Sequence, residues 1–279
     1  MIYIKLLQGE RLQRFINIIK TFKSFNDYVN FIFDNDKLYV QGMDNSHICL
    51  YELSIQKNWF DEYNFKIEDE NDTIILSCVS NILNKIIGLC KSNEGISIQS
   101  TDNEKIQINI FENNNLETGK IFEIPCVNID VTNLQSYEID YDFKLTINSK
   151  ELSNIINELT LFGNELQILT HKDMIKFKTE TNEGSMSQKK KISQFIENDC
   201  NINQNIYCKY QINYLNNMLS LHKVFSMTKF SFQNDVPLCM YFHEENEENE
   251  PLLKLKFYLA PKFHENEDVI ENIVFDEEF

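Results

Sequence analysis

The sequence predicts an α+β fold built from two tandem domains of similar design, each with few helices lying on β-sheets. Two observations carry this. An apolar stripe of helical period near Leu12 recurs near Leu152, and a hairpin pattern followed by a second helix comes after each stripe. Strand-type alternation fills most of the remaining chain. A single α+β domain without duplication is the rival reading of the same pattern.

In order, Leu12, Phe15, Ile16 and Ile19 fall at i, i+3, i+4 and i+7, one face of an amphipathic helix. The β-rich run 28–33 then meets 37–41 across Asp34-Asn35-Asp36, a turn-forming triplet. A second helix is expected over 79–89, with Ile82 and Ile86 on one face, and alternating strand pattern over 96–111. Residues 127–138 show neither period, which suits a connector crossing a surface. In the second half Leu152, Ile155, Ile156 and Leu159 repeat the first stripe, with Ser149 placed as its N-cap. The run 166–170 meets 174–179 across His171-Lys172-Asp173, a helix with Leu215 and Leu219 is expected over 214–221, and 252–259 alternates as a strand. The expected divisions are a first domain over 1–126, a connector over 127–139, a second domain over 140–263 and an acidic tail over 264–279. Residues 244–250, with five Glu in seven positions, read as an exposed acidic loop. The tail composition reads as disordered, although Ile273 to Phe279 could dock on the chain's own or a neighbour's surface.

Composition narrows the function. At 279 residues and 42% hydrophobic the chain can bury one large or two medium cores. Its seven cysteines are odd in number, widely spaced and without a C-x-x-C pair, so reduced thiols are expected rather than a zinc site or disulfide framework. The start Met1-Ile2-Tyr3-Ile4-Lys5 lacks the apolar run of a signal peptide, and no membrane-length apolar stretch occurs, so a soluble intracellular protein is expected. No Walker loop, G-x-S-x-G, H-E-x-x-H or paired metal-ligand spacing occurs, so no catalytic residues, metal or cofactor are expected.

A net charge of −17 argues against nucleic-acid binding, but the charge is segregated. Residues 10–23 hold Arg11, Arg14, Lys20 and Lys23 against Glu10 (+3), and 79–91 hold Lys85 and Lys91 (+2). Residues 149–159 hold Lys150 against Glu151 and Glu158 (−1), and 211–223 hold Lys223 (+1). The helical segments total +5 and the remainder −22. On charge alone these are ordinary solvated helix faces.

Three short segments give the pattern a context: Met43-Asp44-Asn45-Ser46-His47-Ile48-Cys49-Leu50, Asp235-Val236-Pro237-Leu238 and Tyr258-Leu259-Ala260-Pro261-Lys262. In this order and at these distances, and together with the Leu7-Gln8-Gly9 opening, they resemble the proliferating cell nuclear antigen family of DNA sliding clamps over residues 7–263. The resemblance implies two clamp-fold domains per chain, assembled as a pseudo-six-fold homotrimeric ring around double-stranded DNA. Such a ring is a non-enzymatic processivity factor in DNA replication and repair. Its implied partners are DNA bound without sequence specificity, further copies of itself, a DNA polymerase and other proteins bearing clamp-binding peptides, and a clamp loader. The implied location is the nucleus, or a viral replication site for a viral chain. A subunit of a checkpoint-type heterotrimer and a monomeric polymerase accessory factor are the alternatives.

Residue by residue, the resemblance implies a DNA channel carrying Arg11, Arg14, Lys20, Lys85, Lys91 and Lys223. It implies a partner-peptide pocket lined by Met43, His47, Ile48, Leu50, Leu134, Pro237, Tyr258, Leu259, Ala260, Pro261 and Phe263. His47, beside Asp44 and Ser46, is a wall residue in this reading rather than a base or metal ligand. The implied trimer interface pairs 120–124, with Phe122 and Ile124, against 185–191, with Met186 and Lys189, the Lys189–Lys191 run facing Glu117 and Glu123. The sequence departs from the family pattern in the second half, where Asn154, Asn157, Leu161, Asn213 and Ser220 stand at positions usually basic, so direct DNA affinity is expected to be weak. Ser136 and Tyr137 depart from the usual connector.

Overall fold

The computed structural model describes residues 1–66, 73–112, 118–129, 134 and 139–262. They form two compact units, one of the described residues up to 134 with 243–256 and one of 139–242 with 257–262.

The first unit opens with β1 (Ile2–Leu6), whose Ile2, Ile4 and Leu6 point inward, and continues into α1 (Glu10–Phe22). The predicted stripe is buried and gains one turn through Phe22. Helix α1 starts at Gly9, whose φ of +144° is tolerated by glycine because it lacks a Cβ. Strands β2 (Tyr28–Phe33), β3 (Lys37–Met43), β4 (Cys49–Gln56), β5 (Glu62–Phe65) and β6 (Ile74–Val79) follow, then α2 (Ser80–Ile87), β7 (Glu94–Ser100), β8 (Lys105–Glu112) and β9 (Gly119–Pro125). The alternating pattern of 96–111 is thus two antiparallel strands around a turn, in which Asn103 adopts φ +62°.

In the second unit, β10 (Phe143–Asn148) leads into α3 (Ser149–Leu159). The helix is capped one residue earlier than the sequence suggests. The Asn148 carboxamide oxygen accepts the Lys150 and Glu151 N–H groups at 3.0 and 3.1 Å, while Ser149 is the first helical residue and is fully buried. Then come β11 (Glu165–His171), β12 (Met174–Thr181), β13 (Gly184–Lys191), β14 (Glu197–Cys200), β15 (Tyr207–Gln211) and α4 (Ile212–Leu219), which tightens into a 3-10 turn at Ser220–Lys223. Strands β16 (Met227–Phe232), β17 (Leu238–Glu245) and β18 (Pro251–Leu259) complete the described chain. Residues 243–256 of the last hairpin count with the first unit. The acidic run is therefore partly strand: Glu244 and Glu245 end β17, and only 246–250 form the loop.

Within the first unit one sheet runs β5-β1-β7-β8-β9, and the strands of the other run β18-β4-β3-β2-β6. Within the second unit the orders are β13-β12-β11-β15 and β14-β10-β16-β17. Not all edges are alike. Strands β5 and β14 are four residues long. The β6 edge is partly covered where Val127 N–H donates to the Ser77 carbonyl at 2.9 Å, and the β15 edge where Lys262 N–H donates to Lys209 at 2.8 Å. By contrast β9, seven residues, and β13, eight residues, pair on one side only among the described strands.

Packing in the first unit is tight at β3–β4. Tyr51 lies directly opposite Gly42, fully buried, with its ring stacked on Phe22 at 4.4 Å between centroids. A Cβ at position 42 would overlap the Tyr51 phenol ring. Gly42→Ala is therefore expected to destabilise the protein by about 1–3 kcal/mol in urea unfolding; an unchanged midpoint would mean that the ring has room to move aside.

Candidate functional site

The cationic set of the first unit rests on α1 and α2, and its members are in different states. Arg14 donates through Nη1 to the Glu244 carboxylate, which also accepts the Trp59 indole N–H at 2.9 Å. Trp59 is fully buried, so this carboxylate ties α1 to the end of β17 and offsets the Arg14 charge. Arg11 is exposed and donates to the Trp59 carbonyl at 3.2 Å. Lys20 and Lys85 on the helices and Lys91 beyond α2 are exposed and form no ion pair among the described residues. Lys23, Lys66 and Lys254 of the same unit are likewise exposed and without an ion pair among the described residues.

In the second unit Lys223, on the 3-10 turn after α4, is likewise exposed. Glu151 on α3 is held by Lys190 Nζ at 2.6 Å, which cancels one acid of that helix. The five neutral positions stay neutral in effect: Asn157 donates to Ser153 Oγ at 3.3 Å, Ser220 Oγ donates to the Asn217 carbonyl, and Leu161 is 79% exposed.

The docking set is built separately in each unit. In the first, the β3–β4 connection is organised by Asp44, 5% exposed, whose carboxylate accepts the N–H groups of Ser46, Ile48 and Cys49 at 3.0, 2.7 and 2.6 Å. This closes a turn in which His47 takes φ +57° and stands exposed, with Met43, Ile48 and Leu50 half-buried beside it. Leu134 is clasped by the buried Gln41, which donates to its carbonyl at 2.7 Å and accepts its N–H at 2.8 Å. The pair mimics a strand pairing made by one side chain, and Glu52 holds the same amide at 2.9 Å. In the second unit Pro237, Tyr258, Ala260 and Pro261 are half-buried. Tyr141 donates its hydroxyl to the Pro237 carbonyl at 2.8 Å, and burial, with Cys239 and Tyr258 nearby, pushes its phenol well up. Leu259 departs from the expectation, since its side chain is fully buried. Phe263, Ser136 and Tyr137 lie outside the described residues.

Residues 120–124 and 185–191 fall on the two long uncovered edges. On β9, Phe122 is half-buried and Ile121 is 58% exposed. Ile124 is 2% exposed and belongs to the core of its own unit, so only its backbone faces the edge. On β13, Met186 is half-buried and Lys189 exposed. Glu123 already pairs with Lys105 at 3.5 Å, which weakens the expected attraction to the lysine run, and Glu117 lies outside the described residues.

Gln41, Asp44, Tyr141 and Glu244 were missed as organisers. Asp44 had a local signal, an Asx-turn residue at the end of a strand. The other three act on partners far away in the sequence and left none.

Comparisons with known proteins bear on the family and the fold. The family model of the proliferating cell nuclear antigen N-terminal domain matches residues 1–134, and that of the C-terminal domain matches 136–262. The DNA polymerase sliding clamp 1 of Sulfolobus acidocaldarius is 27% identical over 251 residues, covering 88% of this chain and 94% of that one. In the crystal structure of a PCNA2–PCNA3 complex from Sulfolobus tokodaii, one chain shares the fold with a TM-score of 0.78 at 16% identity, covering 93% of this chain and 99% of that one.

The edge β9 is fastened by a buried acid. Glu94 at the start of β7 is 3% exposed, accepts Lys120 Nζ from β9 at 2.8 Å and accepts the Lys91 N–H at 2.7 Å. The hydrogen bond from Lys120, then that from Lys91, holds its carboxyl below the ordinary 4.5. Because the native value is depressed, its contribution is fully present above about pH 4.5 and is lost as pH falls through the native value. The stability difference between wild type and Glu94→Gln should therefore be constant near neutrality and shrink in acid; a difference that grows in acid would contradict the assignment. With both its domains matched, the chain belongs to the proliferating cell nuclear antigen family, whose members are sliding clamps without enzymatic activity.

Proposed function

We propose that this chain forms a ring that encircles double-stranded DNA and tethers a DNA polymerase and other replication or repair proteins. Copies close the ring by pairing β9 of one with β13 of the next. The observation that carries this reading is the pair of long edges on one chain, each a row of backbone N–H and C=O groups without a strand partner among the described residues. Two different edges meeting head to tail give a heterologous contact, which generates a closed ring when the rotation closes. Partner peptides dock where the two residue groups around Met43–Leu50 with Leu134, and around Pro237 with Tyr258–Pro261, are presented. A clamp loader opens the ring.

A heteromeric ring is the second reading, favoured by one observation: one structural neighbour is a PCNA2–PCNA3 complex. Native mass separates the two. A homotrimer gives a species of three times 33.1 kDa at micromolar concentration, and Phe122→Ala should raise its dissociation constant by about tenfold or more. A stable monomer of 33.1 kDa would overturn the homotrimer.

DNA contact in this reading is carried by Lys20, Lys85, Lys91, Lys223 and Arg11, with Arg14 neutralised by Glu244. Lys20→Ala should reduce loading onto circular DNA and the salt slope of binding by about one unit, while Arg14→Ala changes them less. Equal effects would show that Arg14 exchanges Glu244 for phosphate.

A further inference from the structure

The four-stranded sheet of the second unit has one face of the opposite charge to the chain. Its inner face is apolar, with Ile168, Ile175, Phe177 and Tyr210 fully buried. The register places Lys189 opposite Lys176, Lys191 opposite Met174, and Lys178 opposite Gln167, which in turn lies opposite Lys209. Residues directly opposite share a face, so Lys178, Lys189, Lys191 and Lys209 lie on the outer face with two acids, Glu165 and Glu180, around a buried floor of Leu169, Gln167 and Lys176. Those two acids already have cations. Glu180 holds Lys178 at 2.9 Å, and Glu165 holds Lys209 and Lys262 at 3.6 and 2.9 Å. Lys189 and Lys191 are exposed and form no ion pair among the described residues. Half-buried Met174 and Tyr207 add apolar surface to the same face.

We propose that this face is the docking surface for the chain's own acidic C-terminal segment, residues 264–279. Three observations select that occupant. The segment carries seven Asp or Glu and no Lys or Arg, together with Val269, Ile270, Ile273, Val274 and Phe275, matching a face both basic and partly apolar. It leaves from the rim of this same sheet, because Lys262 N–H donates to the Lys209 carbonyl on β15 and Lys262 Nζ to Glu165 on β11. Its length is ample. Four strands at about 4.8 Å spacing place β13 about 14 Å from β15, whereas the sixteen residues after Phe263 can extend to about 50 Å. Being tethered, the segment binds at high effective concentration although the contact is weak and salt-sensitive, so it covers the face until a more strongly anionic partner displaces it. The proposal does not rest on ring closure.

Hydrogen–deuterium exchange of the full chain tests it. At low salt the amides of 264–279 should exchange about tenfold more slowly than in the free peptide of the same sequence. That protection should vanish in about 0.5 M NaCl. It should also vanish in the Lys189→Glu, Lys191→Glu double variant, while β11 and β12 keep theirs and report an intact fold. Free-peptide rates at low salt, or protection that survives the double variant, would overturn the proposal. Zero-length carbodiimide cross-linking of mixed isotopically light and heavy copies identifies whose segment docks. Links from Glu or Asp of the segment to Lys189 or Lys191 within one copy support the assignment, and links mainly between copies overturn it in favour of a neighbour's segment.

Discussion

An antiparallel sheet cannot end without exposing a row of backbone N–H and C=O groups, and where those rows fall governs how this molecule can associate. The chain closes most of them locally, by keeping β5 and β14 to four residues and by laying Val127 and Lys262 along β6 and β15. The rows left over belong to β9 and β13. The β9 edge is also held from behind, since Lys120 is anchored to a nearly buried Glu94 that in turn fixes the turn after α2. Fastening an edge strand at its own sheet keeps its outward groups in register, which is what strand-to-strand association needs.

Electrostatics follows a second logic. A chain of −17 keeps a few cations exposed in chosen places and neutralises others with specific carboxylates. Glu244 takes Arg14 and the Trp59 indole together, Glu151 takes Lys190, and Glu165 takes both Lys209 and Lys262. The exposed cations on or just beyond the helices without an ion pair among the described residues include Arg11, Lys20, Lys85 and Lys91 in the first unit, against Lys150 and Lys223 in the second. The second unit carries its excess on a sheet face instead. Two similar domains thus carry unlike charge patterns, because the sheet exteriors and helix exteriors are solvated surfaces that can change without disturbing either core.

The residues proposed for docking were named from the sequence, but their local surroundings were not. The half-buried state of Met43, Ile48, Leu50, Pro237, Tyr258, Ala260 and Pro261 suits surfaces that another molecule could cover. What orders them was not visible. Gln41 reaches Leu134 across 93 positions, and Tyr141 reaches Pro237 across 96. Leu259 and Ile124 looked like surface partners because the resemblance placed them there, yet strand alternation turns each side chain inward.

Periodicity and turn chemistry determined the two-fold repeat, the four helices and the hairpins among the described residues. These depend on neighbours within a few residues. The helix cap at Asn148 instead of Ser149 was a local choice between two adjacent candidates, decided by the end of β10. Tertiary structure alone decided the rest: which sheet edges stay open, that Glu244 leaves the acidic run to join Trp59 and Arg14, and that lysines from three strands share one face. Each of these arises when strands distant in sequence are brought into register, and register is set by the packing of whole sheets rather than by any residue's own preference.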